Sequence, residues 1–431
     1  MVHGSWFTVN DFIMPKNLFY VESIYSPLEG NESVVTLLST ENEEVAITRS
    51  FTPEQLLMHN HRGSIREGWY VYYNEENKTP FGYGNLSAYA RQQFRNYYEL
   101  RESLAERIID AMSEEAIVPG SFLDEKNPAQ VKSYHVNVGH GNCSFILIEV
   151  GHFYQLWLVD CSIVDKTDHW RSYQANIDEC LKAIKQRLGL KQQQQLHVER
   201  FFLTHAHHDH YSGVEYLVNS HLIDNRTICY VNLYYQMATK AYNRMLTALK
   251  NVGVKIVEPI SGNSNDGIRF LHPECRLYRS RATVKGFTGN HRIVGTPINN
   301  SSVVIMLAFG GRSMVFTGDL EQKGFEKMSG AGTCSSYLFD ANYYVVSHHG
   351  SINGHPTMAC GSQKWHGATP LTCATNGTLR AILMGRDGAY SGIYSTVVTG
   401  YWCSVPNRLV KTETAQHYVE LEWGTGVASY N

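Results

Sequence analysis

The chain has 431 residues, a hydrophobic fraction of 43%, an aromatic fraction of 12% and a formal net charge of −3. That length predicts two or three domains, and that composition predicts a folded protein with a large core. The charge gives no global basic field, which argues against a protein that coats nucleic acid electrostatically but leaves open a nuclease whose local charge comes from bound metals.

Nine cysteines occur and none forms a Cys-x-x-Cys pair. The odd number and the spacing predict buried thiols in a reducing, cytoplasmic setting, without a disulfide framework or a zinc ribbon. Met1–Trp6 lacks a basic start followed by an apolar run, so no signal peptide is expected. No apolar run approaches the roughly 18 residues of a membrane span, so no membrane partner is expected.

In chain order, residues 1 to 60 read as short strands and turns, with Val34–Leu38 the best strand after a turn at Pro27–Asn31. Residues 86–112 read as a helix, because Tyr97, Leu100, Leu104, Ile108 and Met112 share one face. Tyr89, Arg91, Arg95, Tyr97, Tyr98 and Arg101 there could stack on and pair with a nucleic acid, although a core stripe with a solvated face is the commoner reason for such a pattern. Ser113–Lys132, with Pro119-Gly120 and Asn127-Pro128, reads as a linker. The predicted division is an N-terminal α+β accessory region at 1–127 and a second domain at 131–431.

In that second domain, Phe145–Ile148 and Trp157–Val159 read as paired strands around Gly151. Trp170, Tyr173, Ile177, Leu181, Ile184 and Leu188 predict an amphipathic helix. Val198–Leu203 reads as a short apolar strand and runs into Thr204-His205-Ala206-His207-His208-Asp209-His210. Imidazole and carboxylate are ligands for zinc and manganese. Alternate residues of an extended segment point the same way, so His205 and His207 can share one ion. Asp209 and His210 point elsewhere and can serve a second. A histidine-rich surface loop is the bland alternative. Further strands and helices follow at Ile228–Val231, Thr239–Leu249 and Val254–Val257. Ser261–Ser301 then reads as a long polar segment carrying Arg276, Arg279, Arg281, Lys285 and Arg292, suited to a phosphate-bearing substrate or simply solvated.

The His-x-His-x-Asp-His spacing after an apolar strand resembles the metallo-β-lactamase superfamily. The wider context resembles its branch typified by the hydrolase domain of the DNA-uptake channel ComEC and its stand-alone relatives. Val136–Cys143 resembles the opening strand-turn of that branch, Leu158–Cys161 its "LIDxG" strand end, Val315–Asp319 its "LxTGD" strand end and Val346–Ser351 its "xxHHGS" turn. The resemblance spans roughly residues 131 to 400. It implies an α/β fold, an αββα sandwich of two facing sheets flanked by helices, with a metal site at one edge.

It also implies roles. His205, His207, Asp209, His210, Asp319 and one of His348 and His349 would be metal ligands, with Asp319 bridging two ions. Asp160 would orient a ligand from behind. Because His348 and His349 are adjacent, one of them at most is expected to face the metals. His348, directly after a strand, is preferred as the ligand, and His349 would then meet substrate or protonate the leaving group, with Asp209 orienting the nucleophile. The superfamily's further histidine for the first ion is missing, since Ile298–Val304 contains none. The branch tends to carry Asn or Ser there. The branch's "YGHP" turn reads Tyr390–Tyr394 without histidine, leaving His355 and His366 as conceivable substitutes. One or two divalent ions are expected, zinc or manganese in preference to magnesium.

A bound metal polarises a phosphoryl or carbonyl oxygen and lowers the pKa of its water from about 15.7 to about 7. The ligands therefore read as those of a metal-dependent hydrolase, and the family resemblance implies a phosphodiesterase or nuclease with nucleic acid as substrate. Hydrolysis of a small ester (a phosphocholine ester, cyclic nucleotide or lactone) and a metal-stabilised scaffold are the alternatives. Stand-alone relatives with N-terminal extensions suggest a toxin-like or defence effector whose extension meets a partner or activator.

Overall fold

The computed structural model describes residues 18–25, 33–39, 46–57, 65, 70–73, 108, 112, 130–165, 167–169, 171–191, 193–232, 240–257, 259, 264–265, 267–272, 299–321, 324–325, 341–351, 354, 380–389 and 408–431. The chain divides into two compact units, Met1–Tyr97 and Tyr98–Asn431.

In the first unit, β1 (Leu18–Tyr25), β2 (Ser33–Ser39), β3 (Ala46–Phe51) and β4 (Tyr70–Tyr72) form an antiparallel sheet in the order β3-β2-β1-β4. Val35 and Leu37 of β2 alternate inward, as the strand pattern in the sequence predicts, and meet Phe19, Val21, Phe51, Leu56, Ile65, Val71 and Tyr73 in a separate core. Most of the predicted helix at 86–112, with its Tyr/Arg stripe, lies outside the described residues. So do residues 113–129 of the predicted linker, while its last three residues already open a strand.

The second unit holds two large sheets. The first contains β5 (Gln130–Val136), β6 (Cys143–Val150), β7 (Phe153–Cys161), β10 (Val198–Phe202), β11 (Ile228–Tyr230), β12 (Lys255–Val257), β20 (Tyr418–Glu422) and β21 (Ala428–Tyr430), in the order β12-β11-β10-β7-β6-β5-β20-β21. The second contains β13 (Ser264–Asn265), β14 (Ile268–His272), β15 (Val304–Phe309), β16 (Arg312–Phe316), β17 (Tyr343–Val345), β18 (Arg380–Leu383) and β19 (Leu409–Lys411), in that order. A two-stranded ribbon of β8 (Val164–Asp165) and β9 (Arg171–Ser172) lies between β7 and the first helix.

The two sheets pack face to face. Ile146, Ile148, Trp157, Val159 and Phe202 of the first sheet share one core with Phe270, Ile305, Leu307, Met314, Phe316 and Val345 of the second. Each such side chain removed from water contributes about 1.5–3 kcal/mol. β6 is buried along nearly its whole length, as a central strand covered on both faces must be.

Helix α1 (Gln174–Arg187) packs on β5 and buries Ile177, Leu181 and Ile184 of the predicted stripe, together with Cys180. The helix starts later than the periodicity suggests. Tyr173 has non-helical φ/ψ and caps it, while Arg171 and Ser172 are taken by the β8–β9 ribbon. Among the described residues, three further α-helices follow: α2 (His208–Tyr211), α3 (Val214–Asn219) and α4 (Lys240–Asn251). Among the described residues, no helix is long and apolar enough to cross a membrane.

Strand direction fixes where chemistry can occur. β7 and β10 run parallel in the first sheet, and β16 and β17 run parallel in the second. The C-terminal ends of these four strands carry Asp160, Thr204–His210, Thr317–Asp319 and Ser347–His349 respectively. Residues nearly two hundred positions apart thus converge on one edge of the sandwich, the edge where open α/β sheets bind ligands.

Candidate metal centre

After β10 the chain bends at Ala206, and His207, at the start of α2, has extended backbone with φ −81° and ψ 148°. His205 and His207 come together there, with His205 Nε2 3.1 Å from His207 Nδ1. The first turn of α2 then swings Asp209 and His210 elsewhere. The side chain of His208 does not join the cluster; its ring packs edge-on against Tyr211.

Asp319 lies between the two sets. Its Oδ2 is 3.8 Å from His205 Nε2, and its Oδ1 is 3.3 Å from His210 Nε2. His349 Nε2 is 3.3 Å from Asp209 Oδ2 and 3.5 Å from Asp319 Oδ2. The donors therefore fall into two groups, each with all its ligand atoms within 4.8 Å of one another: His205, His207 and Asp319; and Asp209, His210, Asp319 and His349.

The groups behind these donors aim them. Asp160 Oδ2 lies 2.8 Å from His210 Nδ1, so His210 donates from Nδ1 and turns the lone pair of Nε2 toward Asp319. Asp160 also accepts from Thr204 N at 2.7 Å and from Thr204 Oγ1 at 2.8 Å. Having donated its hydrogen to Asp160, Thr204 Oγ1 can accept from His205 Nδ1 at 3.1 Å. His349 Nδ1 donates to the Met384 carbonyl oxygen at 3.0 Å. Gly318 has φ +53°, and a Cβ there would stand 2.7 Å from Thr204 Cβ and Oγ1, so this turn admits only glycine.

The cluster is buried and strongly coupled. Burial opposes charge on His349, but Asp319 and Asp209 outweigh it and push its pKa up to about 10. His210 is likewise raised by Asp319 and Asp160 against burial. Burial opposes charge on Asp209 and Asp319 too, yet the facing imidazoles hold both well below the usual carboxylate range. His205 is pushed down by burial and by His210. His210 Nε2, Asp319 Oδ1 and His349 Nε2 are buried without a hydrogen bond although they converge on one small volume. Nitrogen and carboxylate donors that point at a common centre, and not along one another's hydrogen-bond directions, fit divalent cations.

The two adjacent histidines depart from expectation. His349 lies in the four-donor group, whereas His348, the preferred ligand from the sequence, stands with Nε2 4.0 Å from Asp319 Oδ2 and Nδ1 3.6 Å from Glu321 Oε1. Adjacency does not exclude either ring, because both residues adopt left-handed backbone, at φ 48° and 50°. The tight turn brings both imidazoles up to one carboxylate.

Other neighbours have no strong sequence signal. His140, in the loop between β5 and β6, places Nε2 3.9 Å from Asp209 Oδ2 and its ring 4.2 Å from that of His349. Its position between two glycines was the available clue. Asp165 holds this loop by accepting from His140 N at 3.0 Å, and also binds Thr167 and Arg386 Nε. Asn299 and Asn300 donate to Glu321 at 3.2 and 3.1 Å. His291, His355, His366, Tyr390–Tyr394 and the cationic stretch from Arg276 to Arg292 lie outside the described residues.

A two-sheet α/β sandwich with paired His/Asp donor groups at its strand ends defines a class of metallohydrolase-like folds. Residues 159–349 match the family model of the metallo-beta-lactamase superfamily, and the chain carries a domain of that superfamily. Its sandwich is the αββα architecture that the motifs predict, and the domain's His/Asp cluster is compatible with divalent metal ions. The narrower likeness to the ComEC branch rests on the sequence motifs alone. Among solved structures, the chain is similar to one titled "Crystal Structure of a New Diphosphatase from the PhnP Family", at 12% identity and a TM-score of 0.32, over 69% of this chain and 99% of the other. No curated protein matches the chain.

Proposed function

We propose that the chain is a metal-dependent phosphodiesterase that cleaves DNA or another nucleic acid. The observation that carries the hydrolase reading is the position of Asp319, whose carboxylate faces both donor groups. When bound, divalent ions polarise a phosphoryl oxygen and make water acidic enough to supply a nucleophile near neutral pH. The protein's own part is positional. His205, His207, Asp209, His210, His349 and Asp319 hold the cations. Asp209, whose side chain is 21% exposed while Asp319 is almost fully covered, presents its carboxylate toward solvent and orients the attacking water. Asp160, Thr204 and the Met384 carbonyl fix ring orientation so that no donor has to be reorganised during the reaction.

The choice of a nucleic acid is supported by the motif likeness to the ComEC branch and by the cluster of Arg276, Arg279, Arg281, Lys285 and Arg292 in the sequence. The proposal includes a cytoplasmic location, supported by free buried thiols at Cys143, Cys161, Cys180 and Cys229. It also includes a role for the N-terminal unit in meeting a partner or activator. The deciding experiment incubates linear, circular and single-stranded DNA with the full chain in manganese, zinc or magnesium, beside Asp209→Ala/His210→Ala. The expected result is metal-dependent degradation that the double variant loses. Metal binding without cleavage of any nucleic acid would transfer the assignment to a small-molecule ester.

A further inference from the structure

The first donor group is poorer than the second. It has two imidazoles and a shared carboxylate, and Asn299-Asn300-Ser301-Ser302 stands where a further histidine would be expected. These asparagines do not close the gap with an imidazole. They brace Glu321: Asn299 Nδ2 donates to Oε1 at 3.2 Å and Asn300 Nδ2 to Oε2 at 3.1 Å. Gly324 N in turn holds Asn300 Oδ1 at 2.7 Å. The result is a buried carboxylate fixed in place, 3.6 Å from His348 Nδ1.

We propose, building on the metal-dependent reading above, that His348 supplies the missing imidazole of the first ion and that Glu321 is its orienting carboxylate. Three observations converge on it. His348 Nε2 is 4.0 Å from Asp319 Oδ2, an oxygen that His205 Nε2 approaches at 3.8 Å and His349 Nε2 at 3.5 Å, so His348 stands within one carboxylate of both donor groups. His348 Nδ1 faces Glu321 Oε1 at 3.6 Å, an ion-pair distance longer than a hydrogen bond, so a hydrogen on Nδ1 would keep Nε2 as the ligand atom, as in the carboxylate–histidine–metal arrangement. Asn299, 1% exposed, lies beside that ring with its Nδ2 3.5 Å from His348 Nε2, while its Oδ1 is buried without a hydrogen bond, a carbonyl oxygen of the kind a hard cation such as manganese takes.

The backbone supports the same assignment. His348 and His349 are two successive non-glycine residues in the left-handed region, a conformation that L-residues disfavour. A turn that used only His349 would need one ring at the cluster. Here the strained pair delivers His349 to the four-donor group and His348 to the Asn299–Glu321 side. Strain of this kind persists where surrounding contacts over-determine it; His348 N donates to Gly318 O and Ser351 N to His348 O, at 3.1 and 2.8 Å.

The test is manganese binding to the full chain, read by equilibrium dialysis and by electron paramagnetic resonance. Wild type is expected to take up two ions with a spin-coupled spectrum. His348→Ala should keep one ion and show the spectrum of isolated manganese. Glu321→Gln, which preserves volume, should keep both sites while weakening one by about 10–100-fold, and it decides the matter if His348→Ala does not fold. Two ions at wild-type affinity in His348→Ala, or an unchanged Glu321→Gln, would overturn the assignment. A wild type that binds one ion and still cleaves substrate would overturn this assignment alone; a wild type that binds none would overturn the hydrolase reading with it.

Discussion

Asp160 and His210 are joined by a buried contact of 2.8 Å between Oδ2 and Nδ1, across fifty residues of sequence. The contact fixes which nitrogen of His210 carries hydrogen. In Asp160→Asn the amide would present N–H to Nδ1, and the imidazole would place its own hydrogen on Nε2, toward Asp319. That is the wrong tautomer for a ligand. Manganese affinity of the four-donor group should fall by about 10–100-fold with little change in fold. Isothermal titration of the variant checks this; unchanged affinity would show that Asp160 serves only to hold Thr204.

Gly318 is a second pressure point. Its φ of +53° and the 2.7 Å approach of Thr204 leave no room for a methyl group. Gly318→Ala should destabilise the chain by about 1–3 kcal/mol and displace Thr204, which carries the hydrogen bonds to Asp160 and His205. Thermal unfolding and metal affinity should therefore worsen together. Lost stability with intact metal binding would separate the turn from the site.

Asp165 is fully covered, and Arg386 Nε reaches its Oδ2 at 3.1 Å from a partly exposed position. The pair fastens the loop that carries His140 to the segment after β18. Arg386→Ala leaves a buried carboxylate with only neutral donors and should cost about 1–3 kcal/mol. The cost should shrink in an Asp165→Asn background. Denaturant midpoints of the four-member cycle measure the coupling, and additive effects would mean the pair contributes nothing beyond its separate contacts.

Glu199 supplies a pH dependence away from the metal cluster. Burial pushes its pKa from the ordinary 4.5 up to about 7, against the bond from Leu156 N. Between those values the folded chain binds more protons than the unfolded one, so this group's contribution to stability falls as pH rises from 4.5 to 7. The penalty is fully present above pH 7 and absent below 4.5. Glu199→Gln keeps an acceptor for Leu156 N and should raise the urea midpoint at pH 8 but not at pH 4, by an amount equivalent to about 1 kcal/mol after allowance for partial exposure. An equal shift at both pH values would contradict the burial argument.

The parts of the site that a local pattern controls were legible in the sequence. An apolar strand running into His-x-His-x-Asp-His implies a shared side for His205 and His207 and another for Asp209 and His210, and the side chains do fall into those two groups. The meeting of Asp160, Asp319 and the His348–His349 turn was legible only through motif resemblance, because parallel strand ends in two sheets bring together residues that are far apart in the chain. The backbone of the histidine pair could not be read at all. Left-handed φ at non-glycine residues is held by tertiary contacts, and it brings His349 into the four-donor group while leaving His348 beside the same Asp319. Glu321, Asn299 and Asn300 were likewise invisible, since each looks like an ordinary polar residue until the fold encloses it.

Anomalous scattering from crystals of the full chain grown with manganese tests the central claim most directly. Two peaks about 3.5–4 Å apart are expected on either side of Asp319, one beside His205 and His207 and the other beside Asp209, His210 and His349. A single peak, or peaks remote from Asp319, would contradict a paired-ion site built around that carboxylate.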